Sequence, residues 1–239
     1  MKITKKLFIF VIFVGLLIGI GSLAFLSTAE QALQNQIIKE VQFLTKETLM
    51  EVDRGVYSRI EEIQGYAEDI LLKNQLIESN SSFDQKPDRD EYIKNLNEIW
   101  KSKNQHHEID EILNNDLSMV LKGKITFLQK IYGHSVFGEL FVTNKYGAIV
   151  GAYPRTTKFY QAGKEWFVHA KSGKGLLVND IEYDESSKTY SLEVMVNIYD
   201  SDGEFIGILE AALNTEGIKA AIEELQTKSQ YPGLESYLV

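Results

Sequence analysis

The sequence contains no cysteine, which excludes disulfides, thiolate nucleophiles and cysteine-bound metal centres together. Compartment stays open, because a cysteine-free chain tolerates oxidising and reducing surroundings alike. Basic residues are also scarce, 25 against 34 acidic ones for a formal charge of -9, and no basic stripe lies beyond the N-terminus. Such a surface repels phosphate backbones and argues against a nucleic-acid partner. There is no G-x-x-x-x-G-K to cradle phosphate, no G-x-S-x-G and no Cys/His dyad. The expectation is a chain that is not an enzyme and needs no cofactor. Proline is absent from residue 28 to about 78, so nothing there interrupts a helix.

What is present begins with a membrane signal. Residues 7–26 read LFIFVIFVGLLIGIGSLAFL without a charge, the length a helix needs to cross a hydrocarbon core of about 30 Å. Gly15 and Gly19 form GxxxG, a spacing that lets a neighbouring helix approach. Lys2, Lys5 and Lys6 precede the run, and mixed or acidic sequence follows it. The positive-inside tendency then puts the N-terminus in the cytoplasm and everything after about Ser27 outside, in a single-pass cell-membrane protein. A cleaved signal peptide shares a basic start and an apolar run, and its mature N-terminus would fall near Ala29 or Glu30. The run here exceeds the usual signal core of about 7 to 15 residues.

At 239 residues and 44% hydrophobic content the chain suffices for one substantial domain with long helices. From residue 28 to 78, Leu33, Ile37, Val41, Leu44, Thr48, Val52, Val56, Ile60, Ile63, Ala67 and Ile70 recur in steps of three and four. That pattern predicts a long amphipathic helix suited to pairing with a second helix, and hence a homodimer. Polar residues 79–82 stop it, and Asp88 is placed to cap a second helix from about Arg89 to Lys103. A third helical pattern runs from about Glu108 to Tyr132. Then the helical period gives way to short β-rich runs: FGELFVT, AIVGAY, GLLVND, TYSLEVMVNIY and EFIGILEAAL read as strands separated by turn residues. One helical insert, residues 160–172, interrupts them. Hairpin-length connections imply antiparallel pairing, so the expected fold is α+β: a transmembrane helix, a long amphipathic helix, and a five-stranded antiparallel sheet over residues 137–213 with helices on one side.

The order strand, N-K-Y-G turn, strand, TTKFYQAGKEWFVHA, then GKGLLVNDIEYDESSKTYSLEVMVNIYDSDGEFIGILEAAL resembles the Cache family of PAS-like extracellular sensor domains, found in membrane histidine kinases and chemoreceptors. The resemblance covers about residues 115 to 215 and frames a sensor domain over residues 28–215. It implies a small-molecule pocket between the sheet and a covering segment, lined by Phe159, Tyr160, Lys164, Trp166 and Tyr183, with Phe167 as a further apolar wall. Each of these aromatics has a plain alternative as core. The amino-acid-binding branch carries Tyr, Arg, Trp and Tyr in that segment, with a distal aspartate for the ligand's ammonium. Here the segment has Phe159, Lys164, Trp166 and Phe167, and the aspartate position falls near Ala212. The resemblance therefore implies a small carboxylate or other anion rather than an amino acid. The competing reading is a membrane-anchored structural or interaction domain with a solid core.

Other clusters carry less. His106 and Asp110 share a helix face but make only a pair. Asp180, Glu182, Asp184 and Glu185 read as hairpin and rim residues. Asp200-Ser201-Asp202-Gly203 lacks the distal glutamate of a calcium loop and reads as a turn. No metal site is expected. After Leu213 a helical pattern extends to about Lys228, and residues 216–239 end in YPGLESYLV, which resembles the first strand of a second sensor module.

Overall fold

The computed structural model describes residues 3–173, 175–184, 188–220 and 223. The chain divides into two units, one containing residues 1–51 and the other Val52–Ala221. In the first unit, residues 3–51 form the N-terminal part of helix α1, Ile3–Ala67. Its opening stretch is long and apolar enough to cross a membrane, with Leu7, Phe13 and Leu23 exposed. A run of side chains without polar partners suits hydrocarbon surroundings, and the helix satisfies its own backbone there.

The second unit begins within α1, where Ile63 and Ala67 turn inward and are buried. The long helix expected to reach residue 78 is in fact two. The Asp69 carboxylate accepts a hydrogen bond from the Leu71 amide at 2.9 Å and starts α2, Ile70–Asp84. An aspartate inside an apolar-periodic run was legible as continuous helix, but its short side chain competes for backbone donors and opens a new N-terminus. Asp88 caps α3, Arg89–Ser102, through the Glu91 amide, as its position predicted. The third expected helix is likewise divided, into α4, His107–Asn114, and α5, Asp116–Tyr132, with the Asn115 side chain capping the second.

Five strands follow: β1, Phe137–Asn144; β2, Ile149–Tyr153; β3, Leu176–Asp184; β4, Thr189–Tyr199; and β5, Phe205–Asn214. Helix α6, Glu165–Ser172, lies between β2 and β3. All neighbours are antiparallel, in the order β2-β1-β5-β4-β3. The final strand is thus central, and Ile206 through Asn214 are buried in an unbroken run.

Helices pack on both faces of the sheet, not on one. One face meets α1, α2 and α5 through Ile63, Leu76, Leu121, Leu140, Val194 and Leu209. The other meets α3, α4 and α6 through Trp100, Ile109, Phe141, Trp166, Met195 and Ile208. The expected one-sided cover fails because β1 and β5 are buried at nearly every position, so each face of the sheet needs a covering layer. Asn80 locks α2 to the sheet: its amide donates to the Ile206 carbonyl at 2.8 Å and accepts from the Lys145 amide at 3.1 Å. Residues 216–220 are helical. Most of the expected second-module segment, 216–239, lies outside the described residues.

Candidate functional site

The face carrying Trp100, Phe141 and Trp166 is covered by the connection from β2 to α6. After the cis Tyr153–Pro154 bond, Arg155 donates to the Trp100 carbonyl, with its guanidinium 4.9 Å from the Trp100 ring. Burial lowers the Arg155 pKa, and Asp110 opposes that shift. The Trp100 indole donates to the Thr156 carbonyl at 2.7 Å. Phe159 is fully buried against Trp100, with ring centroids 5.7 Å apart. The Ile149 amide donates to the Phe159 carbonyl, and the Gln161 amide to the Gly147 carbonyl at 2.8 Å. The segment therefore runs beside β2 like a further edge strand.

Gly147 makes this approach feasible. Its φ is +78°, and a Cβ there would sit 2.5 Å from Ala162, so the turn admits no side chain.

The sequence-derived residues fall in three places. Phe159 and Trp166 are buried in one aromatic cluster, in which Trp166 lies 6.1 Å from Phe141. Tyr160 and Lys164 stand at its margin. Tyr160 is 38% exposed, and its amide donates to Asn97. Lys164 is half-buried and immediately precedes α6. The fold does not bring Tyr183 to the other four. It is 55% exposed and pairs across the hairpin with Tyr190, which alternation places on the face of Leu192 and Val194, opposite Trp166. Phe167 is buried beside Trp166, at 5.6 Å.

Polar groups sit within this otherwise apolar layer. Gln161 is 1% exposed, Ser191 1% and Asn197 7%. Gln161 Oε1, Ser191 Oγ and Asn197 Oδ1 have no hydrogen-bond partner. The amide nitrogens of Gln161 and Asn197 are engaged: Gln161 donates to the Lys158 carbonyl and Asn197 to the Ala170 carbonyl.

Strand alternation adds three carboxylates that the sequence reading missed. Glu139 and Glu193 both stand opposite Ala212, one on each flanking strand. Glu210 stands opposite Phe141 and Met195 on the same face. Glu139 is 6% exposed, Glu210 2% and Ala212 1%. The available signal was one glutamate inside each of the apolar runs GELFV, LEVMV and ILEAA.

A cleft of about 530 Å³ opens where α2, α3 and α4 face β2, with Phe83, Tyr92, Glu108, Ile149 and Phe159 among its walls. The Tyr92 hydroxyl donates to Glu108 at 2.9 Å, and burial, then this bond, raises the phenol pKa to about 12. The described residues include no group of three His, Cys, Asp or Glu side chains arranged to hold a metal.

No family model matches the chain, and no curated protein matches it. Among solved structures it is similar to the extracellular domain of rpHK1S-Z16, a protein assigned as a histidine kinase, at 14% identity and a TM-score of 0.38 over 74% of this chain. It is also similar to the ligand-binding domain of the Campylobacter jejuni chemoreceptor Tlp3 in complex with 4-methylisoleucine, at 18% identity and TM-score 0.36 over 68% of this chain. A third is the Escherichia coli DcuS sensor domain, at 14% identity and TM-score 0.33, covering 56% of this chain and 93% of that one. The match spans 65% of the first of these chains and 63% of the second.

Proposed function

We propose that the Val52–Ala221 unit is an outward-facing small-molecule sensor, anchored by residues 7–26, which binds its ligand between the sheet and residues 155–172. The observation that supports this most is a set of buried side-chain oxygens without a hydrogen-bond partner, Gln161 Oε1 in that segment and Ser191 Oγ and Asn197 Oδ1 on β4. Each costs about 1–3 kcal/mol while it is unmet. A ligand with hydrogen-bond donors satisfies them. Phe159, Tyr160, Lys164 and Trp166 belong to the covering segment, and Tyr183 reaches the ligand only if the hairpin rearranges.

The anionic ligand expected from sequence has two supports. One is Lys164, half-buried at the start of α6 and with no ion pair among the described residues. The other, the lack of an acid at residue 212, weakens because Glu139 and Glu193 flank that position. Signalling requires the ligand to bind two states unequally. The state change would be carried by α1, whose exposed Leu33, Phe43 and Leu49 offer a second copy an apolar surface.

Two measurements follow. A thermal-shift screen of the full chain in lipid nanodiscs against small metabolites is expected to yield a stabilising compound. At a hundredfold excess over its Kd it adds about 2.7 kcal/mol, and a panel with no response favours the structural reading. Because the chain is cysteine-free, Glu47→Cys is a clean topology probe. A membrane-impermeant maleimide is expected to label Glu47→Cys in intact cells and Lys5→Cys only after permeabilisation, and the reverse pattern would overturn the orientation.

A further inference from the structure

We infer that the outer face of α5 is a docking surface for another protein, which presents to it an apolar helix rimmed by acidic side chains. The inference does not rest on the sensor reading, since α5 and α6 pack on opposite faces of the sheet.

The helical period gives α5 two apolar sets. Leu117, Leu121, Ile125 and Leu128 are buried toward the sheet. Met119, Phe127 and Ile131 stand outside that contact and are 56%, 61% and 57% exposed. No other helix wholly inside the Val52–Ala221 unit exposes as many large apolar side chains among the described residues. With Gly123 these three fall in steps of four, the spacing of a ridge that seats in the groove of a second helix. At the usual rise the ridge is about 18 Å long. Gly123 is a notch in it. A Cβ there would meet nothing within 4 Å, so the chain's own packing does not call for glycine, which in mid-helix costs stability relative to alanine. Close approach of a partner's backbone gives the missing side chain a use.

Charge around the ridge fixes the partner's chemistry. The chain carries -9 overall, yet α5 holds Lys122, Lys124 and Lys130 and a single acid, Asp116 in its first turn. Lys124 is turned toward α1, its ammonium 3.5 Å from the Tyr66 ring centroid. Lys122 and Lys130 are exposed beside the ridge, about 12 Å apart along the axis. Neither makes an ion pair among the described residues. An acidic rim pairs with both. The net negative charge of the whole chain repels the same rim elsewhere, which confines the attraction to this ridge.

A lipid surface fits less well. Basic segments that hold anionic lipid usually bring about four to eight cations, and the broader apolar set of α5 is already buried. The position also gives docking a consequence. Helix α5 meets α1 through Lys124 on Tyr66 and through the Arg59 guanidinium, 4.7 Å from the Tyr132 ring centroid. A partner seated on α5 therefore bears on the helix that carries the apolar N-terminal run.

The test uses the full chain in phosphatidylcholine nanodiscs and two labelled helical peptides of equal length, read by fluorescence anisotropy. Both carry leucines in steps of four, one with a glutamate rim and the other with a lysine rim. The glutamate-rimmed peptide is expected to bind saturably, about tenfold or more tighter than the other, and more weakly as salt is raised. Phe127→Ala is expected to weaken it about tenfold or more, and Lys122→Glu combined with Lys130→Glu to reverse the preference. All three side chains are exposed, so melting should stay unchanged. Binding indifferent to rim charge or to these variants, or no binding by either peptide, would overturn the inference. Without peptide binding, capture of phosphatidylserine vesicles that the lysine variant loses would put a lipid surface on α5 instead. Pairing of two copies that Phe127→Ala abolishes would, in the same case, put a second copy of the chain there.

Discussion

Trp100→Ala is expected to destabilise the Val52–Ala221 unit by about 3–5 kcal/mol, the usual cost of deleting a buried tryptophan. A drop of roughly 10 °C in melting temperature would register it. The indole is 1% exposed, packs on Phe159, carries the Arg155 guanidinium and donates to the Thr156 carbonyl. One side chain therefore fastens α3 to the segment that covers the sheet. Trp100→Phe separates these roles: the ring contacts largely survive, while the Thr156 carbonyl loses its donor, at a cost of about 1–3 kcal/mol. Hydrogen exchange should show residues 154–162 opening before the sheet in both variants. Uniform loss of protection across the unit would mean that Trp100 serves the core at large.

Gly207→Ala is the second large effect. A Cβ at this position would lie 2.2 Å from the Thr143 carbonyl oxygen and 2.8 Å from a Leu76 methyl. Leu76 can shift, but the carbonyl belongs to the backbone of β1, paired to β5 at Asn144↔Gly207 and Thr143↔Ile208. The clash therefore falls on the central strand pairing, and the expected cost is at the upper end of about 1–3 kcal/mol for overpacking, or beyond it. A urea titration checks this by a lower midpoint at unchanged slope. Asn80, whose amide holds the neighbouring Ile206 carbonyl, should lose exchange protection in step.

How much of this was legible beforehand depended on whether the deciding interaction was local. Asp88 capping α3, the change of period near Phe137 and the antiparallel hairpins are set by residues within a few positions, and they read correctly. The break at Asp69 and the division at Asn115 are local too, but a polar residue in a strongly periodic run is ambiguous until its side chain is seen to bond backward or forward. Pairing across the sheet was beyond reach. Counting along β5 alone puts alanine, not an acid, at residue 212, whereas the sheet brings Glu139 and Glu193 there from two earlier strands. Tyr183 shows the same limit in reverse: its place in a strand was legible, but which face it joins depends on the irregularity between Val178 and Ile181, and a slip of one residue changes the face.

The two faces of the sheet then have different characters. The side toward α1, α2 and α5 is an aliphatic core, suited to transmitting a shift into α1. The side toward α6 holds the aromatics, the unpartnered acceptors and the carboxylates, suited to receiving a ligand. The sheet itself lies between the two, so occupancy on one side can bias helix packing on the other through the strands they share.

The most direct test of the sensor account uses Trp166 as the reporter. The chain has two tryptophans, so the Trp100→Phe variant leaves Trp166 alone, buried near Phe141 on the face toward α6. Its emission should change saturably with any compound that raises the melting temperature, with the same midpoint in both measurements. A stabilising compound that leaves Trp166 emission untouched would contradict a ligand site between the sheet and α6.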